Sequence, residues 1–485
     1  MSMTQANHKD MARRRPSALL SVLPIVLLVV LLTATIQSFG SDALGGASQV
    51  TLLIVSAFCV FVGMVFLHVP WLAFEKAITK NVASVSSALI ILLLIGALSG
   101  TWMLSGVVPT LIYYGVQIIH PQVFLASTCV ICALVSVMTG SSWTTVATIG
   151  IALMGIGQAL GFSEGWIAGA IISGAYFGDK ISPLSDTTVM AAGVTDVPLF
   201  SHIRYMLLTT VPSMAIALII FIVSGLMHGV GNVGDTTQFT TALASRFHIT
   251  PWQLLVPLLT GVMIARRWPP LVTLFLSTLL AMLFGLFFQT DVLRDIHPDL
   301  FKASMMSMYG STSLPTSNAM LSGLIATRGM AGMMDTIWLI VCAMCFGATM
   351  SAGGMVGGIT RLFVRMVRGR TSLVAATVCS GLMFNLAVAD QYLCILLTGN
   401  VFRDVYDRQG FERRLLSRST EDAVTVTSVL VPWNTCGMTQ STVLGVSTFV
   451  YLPYCFFNLL SPLMSIIVAA IGYKVVKVER ENYKS

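Results

Sequence analysis

The chain has 485 residues, 55% of them hydrophobic and only 10% charged, with a formal net charge of +7. An ordinary soluble domain carries about 25% charged residues, so a water-facing surface of this size could not be covered. A soluble enzyme, a nucleic-acid binder and a disordered scaffold are excluded, and a mean hydropathy of +0.85 leaves an all-α polytopic membrane protein.

Arg13, Arg14 and Arg15 precede an apolar stretch over 18–37. That stretch exceeds the ~7–15-residue core of a cleaved leader, so it reads as a first spanning helix behind a cytoplasmic tail, 1–17. Further spans are expected at 50–68, 85–107, 122–139, 143–162, 165–193, 204–227, 252–265 with 270–289, 303–326, 335–355, 371–402 and 423–473. At about 20 residues per crossing this makes roughly ten to thirteen transmembrane segments, followed by a cytoplasmic tail, 474–485. Excess Lys and Arg gather in cytoplasmic loops, which needs no anionic partner. Cys129 with Cys132 and Cys342 with Cys345 form C-x-x-C pairs inside apolar runs, without the His or acidic neighbours that zinc or redox chemistry needs. They read as small apolar packing residues.

Charge placement is more informative than the span count. Arg361, Arg365, Arg368 and Arg370 form one basic loop; Arg403, Arg408, Arg413, Arg414 and Arg418 form another, and both are expected in the cytoplasm. The 32 residues between them, 371–402, carry one charge, Asp390. Two crossings need about 40 residues, so this segment is expected to enter and return as a re-entrant hairpin. In the first half, Gly140-Ser141-Ser142-Trp143-Thr144-Thr145 breaks an apolar run that has no Lys or Arg on its flanks. Trp143 precedes Pro183 by 40 residues and Asp390 precedes Pro432 by 42. Polar breaks paired in this way point to inverted-topology repeats, at about 85–227 and 303–473, with the site at the bilayer midplane.

The densest chemistry lies in Gly174–Thr188. Asp179, Asp186 and Lys180 stand there with the hydroxyls of Tyr176, Ser182, Ser185, Thr187 and Thr188, inside an apolar stretch. A charge at the bilayer centre costs at least ~2.5–3.5 kcal/mol, which marks a functional cluster. Pro183 breaks the helix, and the freed carbonyls and hydroxyls are the hard oxygen ligands Na+ takes. Asp390, with Asn385 five residues before it, is a second intramembrane carboxylate, and Asn434 and Thr435 add neutral oxygens after Pro432. Glu164, Asp335, His120, His202 and His228 read as peripheral.

Phe177-Gly178-Asp179-Lys180-Ile181-Ser182-Pro183-Leu184-Ser185-Asp186-Thr187-Thr188 closely resembles the signature of the NhaC family of Na+/H+ antiporters, in the ion-transporter superfamily. Three more blocks match in order: Gly140–Thr148, Asn385–Tyr392, and Ser417–Asp422 through Leu430–Gly437. The resemblance implies a multi-pass transporter of the bacterial inner membrane, with both termini cytoplasmic, exchanging Na+ for H+. It implies no cofactor; the partners are membrane lipid and the two ions, no nucleic acid is bound, and a homodimer is left open. Asp179, Asp186 and Asp390 would bind Na+ or a proton but not both, with Lys180 neutralising a carboxylate. Ser141, Thr144, Thr145, Ser182, Ser185, Thr187, Asn385, Asn434 and Thr435 would complete the oxygen shell. The same family includes exchangers of organic acids such as malate and lactate, which is the alternative. An enzyme is not expected: an intramembrane aspartyl protease uses G-x-G-D, and Tyr176 stands where the first Gly would be.

Overall fold

In lipid every backbone polar group must be satisfied within the chain, which leaves helices or a closed barrel. The computed structural model describes residues 16–39, 45–227, 236–314, 322 and 325–476. Among these residues the chain is helical, with one isolated bridge, Thr312 to Thr327, and no strand. Among the described residues eight helices are long and apolar enough to cross a membrane, up to ten if two bent pairs count as spans. Large apolar side chains such as Leu19, Ile118, Met227 and Phe287 face outward, as lipid requires.

The centre is built from two copies of one motif. In the first, Phe124–Thr139 runs inward and the chain turns at Gly140-Ser141. It returns through Ser142–Thr145, a π-helical turn Val146–Gly150 and Ile151–Ala159. Gly157 comes back beside Phe124, so the segment is a hairpin. Glu164–Ile181 then packs tightly along Phe124–Thr139, because Gly174 and Gly178 let it approach the carbonyls of Cys129 and Ala133. Glu164 at its start and Lys180 at its end suit the helix dipole. Pro183 ends the helix, and Asp186–Val194 follows.

In the second copy, Arg370–Val388 and Gln391–Gln409 form the hairpin, closed across its arms by the Thr377 and Tyr406 hydroxyls at 3.1 Å. Arg413–Thr420 and a π-turn, Glu421–Thr425, rise beside it to a break around Pro432, and Thr435–Leu444 continues. Adding 249 to a residue number in the first copy gives its counterpart: Gly140 and Ala389, Ser141 and Asp390, Pro183 and Pro432. The contacts repeat too. Ser136 Oγ donates to the Ala175 carbonyl at 2.5 Å, and Asn385 Nδ2 to the Val424 carbonyl at 2.8 Å. The base of the second hairpin carries the Arg-rich segments, whereas no Lys or Arg flanks the base of the first, the asymmetry of inverted copies entering from opposite sides.

Three expectations need correction. The span at 303–326 is not continuous: Leu300–Tyr309 stops at Gly310, and much of the remainder lies outside the described residues. Arg418 is not in a loop but fully buried within Arg413–Thr420. His202 is not peripheral; it is buried, with Nδ1 2.8 Å from Ser417 Oγ. His228, residues 1–15 of the N-terminal tail and 477–485 of the C-terminal tail lie outside the described residues.

Candidate functional site

Each hairpin tip docks on the break of its own copy, and each tip needs one residue of left-handed backbone. At the first tip this is Gly140, with φ +65°, whose missing Cβ would meet the Leu184 backbone at 2.7 Å. Ser141 caps the following helix, its hydroxyl accepting from Thr144 N at 3.2 Å. At the second tip Ala389 takes φ +62°, and Asp390 is the cap, its Oδ1 accepting from Leu393 N at 2.9 Å. The second break is tied to this tip by Thr435 N donating to the Ala389 carbonyl at 2.9 Å, and by Trp433 Nε1 donating to the Leu386 carbonyl at 2.9 Å.

Between the tips lies a cavity of about 710 Å³ that brings Asp179, Asp186 and Asp390 into one wall system with Ser141, Thr144, Ser185, Thr187 and Thr435. Asp179 is 5% exposed and Asp390 3%, whereas Asp186, in the first turn of its helix, is exposed. Ser142 Oγ donates to Asp179 Oδ2 at 2.7 Å. At the matching position of the second copy Ser428 Oγ donates to Gln391 Oε1 at 3.0 Å, so a neutral amide pair replaces the carboxylate pair. At this position the two copies therefore differ in charge although their scaffold is two-fold. Among the described residues no three His, Cys, Asp or Glu side chains converge closely enough to hold a metal ion. The three aspartates share a cavity, not one coordination shell.

The remaining candidates fall outside the cavity wall. Thr145 donates to the Ser141 carbonyl at 2.9 Å and Ser182 to the Val137 carbonyl at 2.8 Å, both bracing the first tip. Asn385 ties the second hairpin to Thr427 at 3.0 Å, and Asn434 caps Thr435–Leu444. Lys180 points away from the cavity: it forms a fully buried ion pair with Asp422 and donates to Ser461 at 3.0 Å. Arg267, exposed in the turn before Pro269-Pro270, is the one cation among the described residues that line the cavity.

Asp422 and Glu421, both fully buried, are charged residues that sequence reasoning did not single out. Their signal was the spacing of Arg418 and Asp422, four residues apart on one helix face, immediately before a run with no charge. Gln391 and Ser142 were missed because neutral polar residues at a tip look like any turn.

Residues 174–473 match the model of the Na+/H+ antiporter family. The chain is 38% identical over 424 residues to the Na(+)/H(+) antiporter NhaC of Alkalihalophilus pseudofirmus, covering 86% of this chain and 90% of that protein. It is 35% identical to the Na(+)/H(+) antiporter NhaC of Bacillus subtilis, over 83% of this chain and 88% of that one. To the malate-2H(+)/Na(+)-lactate antiporter of the same organism it is 36% identical, over 82% and 84%.

Proposed function

The chain belongs to the Na+/H+ antiporter family, and from that premise we propose that it exchanges Na+ for H+ across the bacterial cytoplasmic membrane, with no cofactor. The observation that carries the reading is Asp179: a buried carboxylate facing a cavity at the meeting point of two broken helices, with Ser142 fixing one of its oxygens.

An unshielded charge there is costly, so Asp179 takes either a proton or Na+ as its counter-charge. Competition for that one position couples the two fluxes. A single carboxylate, completed by hydroxyls such as Ser141 and Thr144 and by water, holds the ion. Asp390, on the opposite tip, adds a second buried carboxylate to the wall the ion passes, and the exposed Asp186 draws cations into the mouth. Ser185, Thr187 and Thr435 supply further oxygens along the wall. The neighbours of the mouth include Arg267 and the Trp71–Ser84 helix with Lys76 and Lys80. By the positive-inside rule that mouth opens to the cytoplasm, and both termini lie there. Lipid surrounds the helices; whether two copies pair is an outcome for mass measurement in detergent.

A second reading, organic-acid exchange, is favoured by the cavity volume, which falls in the ~300–1,000 Å³ range of small-molecule sites. Against it, the wall holds three carboxylates and one cation, Arg267, because Lys180 is committed to Asp422. Purified protein in liposomes with an imposed pH gradient separates the two. Dissipation of the gradient by Na+ alone is the expected result. A requirement for malate or lactate would replace the first reading with the second.

A further inference from the structure

Below its break, the second broken helix carries charged side chains that the cavity does not use. Arg418, Glu421 and Asp422 are fully buried there, facing Lys180 on Glu164–Ile181 and His202 on Leu199–Met227, also fully buried. Asp422 is well held: Lys180 pairs with Oδ1, which Thr209 and Ser461 also approach at 3.1 and 3.3 Å. Glu421 is held by nothing comparable. Thr425 interacts with its carboxyl group, yet neither side chain has a partner in good hydrogen-bond geometry. The three guanidinium nitrogens of Arg418 likewise make no hydrogen bond, though Nε forms a long ion pair with Asp422 Oδ2 at 3.9 Å, and His202 Nε2 makes no hydrogen bond either.

A seam of buried polar atoms without hydrogen bonds to protein is tolerable where water reaches it. Toward the cytoplasmic surface Arg418 lies over the Tyr205 ring at 4.8 Å, and Arg414, partly exposed beside Glu412, lies over the same ring at 4.9 Å. At its inner end Glu421 is within electrostatic reach of Lys180, Asp179 and Asp422. Glu421 and Thr425 bound a π-helical turn, an irregularity that often marks functional sites. The 249-residue relation places Gly169, Ile172 and Ser173 at the positions of Arg418, Glu421 and Asp422. The scaffold therefore forms without this charge cluster.

We propose that Glu421 is a proton-relay residue between Asp179 and cytoplasmic water, so that Na+ and protons reach Asp179 from different faces of the Glu164–Ile181 helix. Glu421 first yields its proton to water entering the seam from the side of Arg414. Na+ entering from the cavity then displaces the proton of Asp179: the O–H bond there breaks and one forms on Glu421, through an intervening water. The net change is one proton moved from Asp179 to the cytoplasm for one Na+ bound. The neutral acid is the cheaper form of a carboxyl group buried without a donor, and the ammonium of Lys180 offsets the charge while the anion lasts.

The proposal rests on the Na+/H+ reading, and two assays on full-length protein in liposomes keep the two apart: Na+-driven proton flux, and exchange of radioactive for unlabelled Na+ at equal pH. Glu421→Gln is expected to slow Na+-driven proton flux by about a hundredfold while Na+/Na+ exchange stays within about twofold of wild type, with Glu421→Asp restoring part of the proton flux. Unchanged proton flux in Glu421→Gln, or equal loss of both activities, would overturn the relay. Should Glu421→Gln not fold, Glu421→Asp is read on the same assays: a fall in proton flux alone supports the relay, and a parallel fall or no fall overturns it. Wild-type protein that exchanges Na+ for Na+ but moves no protons would overturn the antiport reading, and the relay with it.

Discussion

Asp179 and Ser428 occupy equivalent positions in the two copies, as do Ser141 and Asp390, so single substitutions in a shared scaffold put one carboxylate on the break of the first copy and one on the tip of the second. The tips make the same point through backbone strain. A non-glycine residue in the left-handed region costs roughly 1–2 kcal/mol. Ala389 bears that cost at φ +62°, whereas Gly140 avoids it at φ +65°. Ala389→Gly is expected to stabilise the protein by about 1 kcal/mol, read as a higher melting temperature in detergent. Gly140→Ala is expected to lower it by more than that, since its methyl group would also press on the Leu184 backbone. Equal effects of the two changes would contradict the assignment of strain.

At the scale of elements, the Lys180–Asp422 pair joins Glu164–Ile181 of one copy to the Glu421–Thr425 turn of the other. Breaking a buried pair by removing one partner costs about 3–5 kcal/mol, while replacing both is often neutral. Lys180→Met and Asp422→Asn should each destabilise strongly, and the double variant Lys180→Met with Asp422→Leu should recover most of the loss in thermal unfolding. No recovery would mean that Lys180 acts elsewhere. Much of this architecture was legible in the sequence. A charge inside an apolar run is costly enough to flag Asp179, Asp186 and Asp390, and 32 residues between two basic segments are too few for two crossings, so the hairpin closing at Ala389-Asp390 could be read directly. The buried cluster was not legible, because Arg418 follows Arg413 and Arg414, and in one dimension a solvated arginine and a buried one look alike. His202 was misread for the same reason, being close to Arg204 at a helix start. The apolar run at 303–326 was over-read because hydropathy averages across Gly310 and Pro315, which local backbone chemistry does not.

For the whole molecule, two inverted copies whose tips and breaks interlock give one central chamber with carboxylates from both copies. In the proposed exchange, rocking one copy against the other would carry that chamber from one side of the membrane to the other. Exchange without leak would then require that Asp179 never cross empty, which the proposed mutually exclusive binding of Na+ and H+ would provide. The most direct test is the KM for Na+ in reconstituted vesicles as the pH on the cavity side is lowered. Competition by one proton predicts that KM rises by about tenfold per pH unit while the rate at saturating Na+ holds constant, with Asp179→Asn showing no exchange at any pH. A constant KM with a falling saturated rate, or full exchange in Asp179→Asn, would contradict the account.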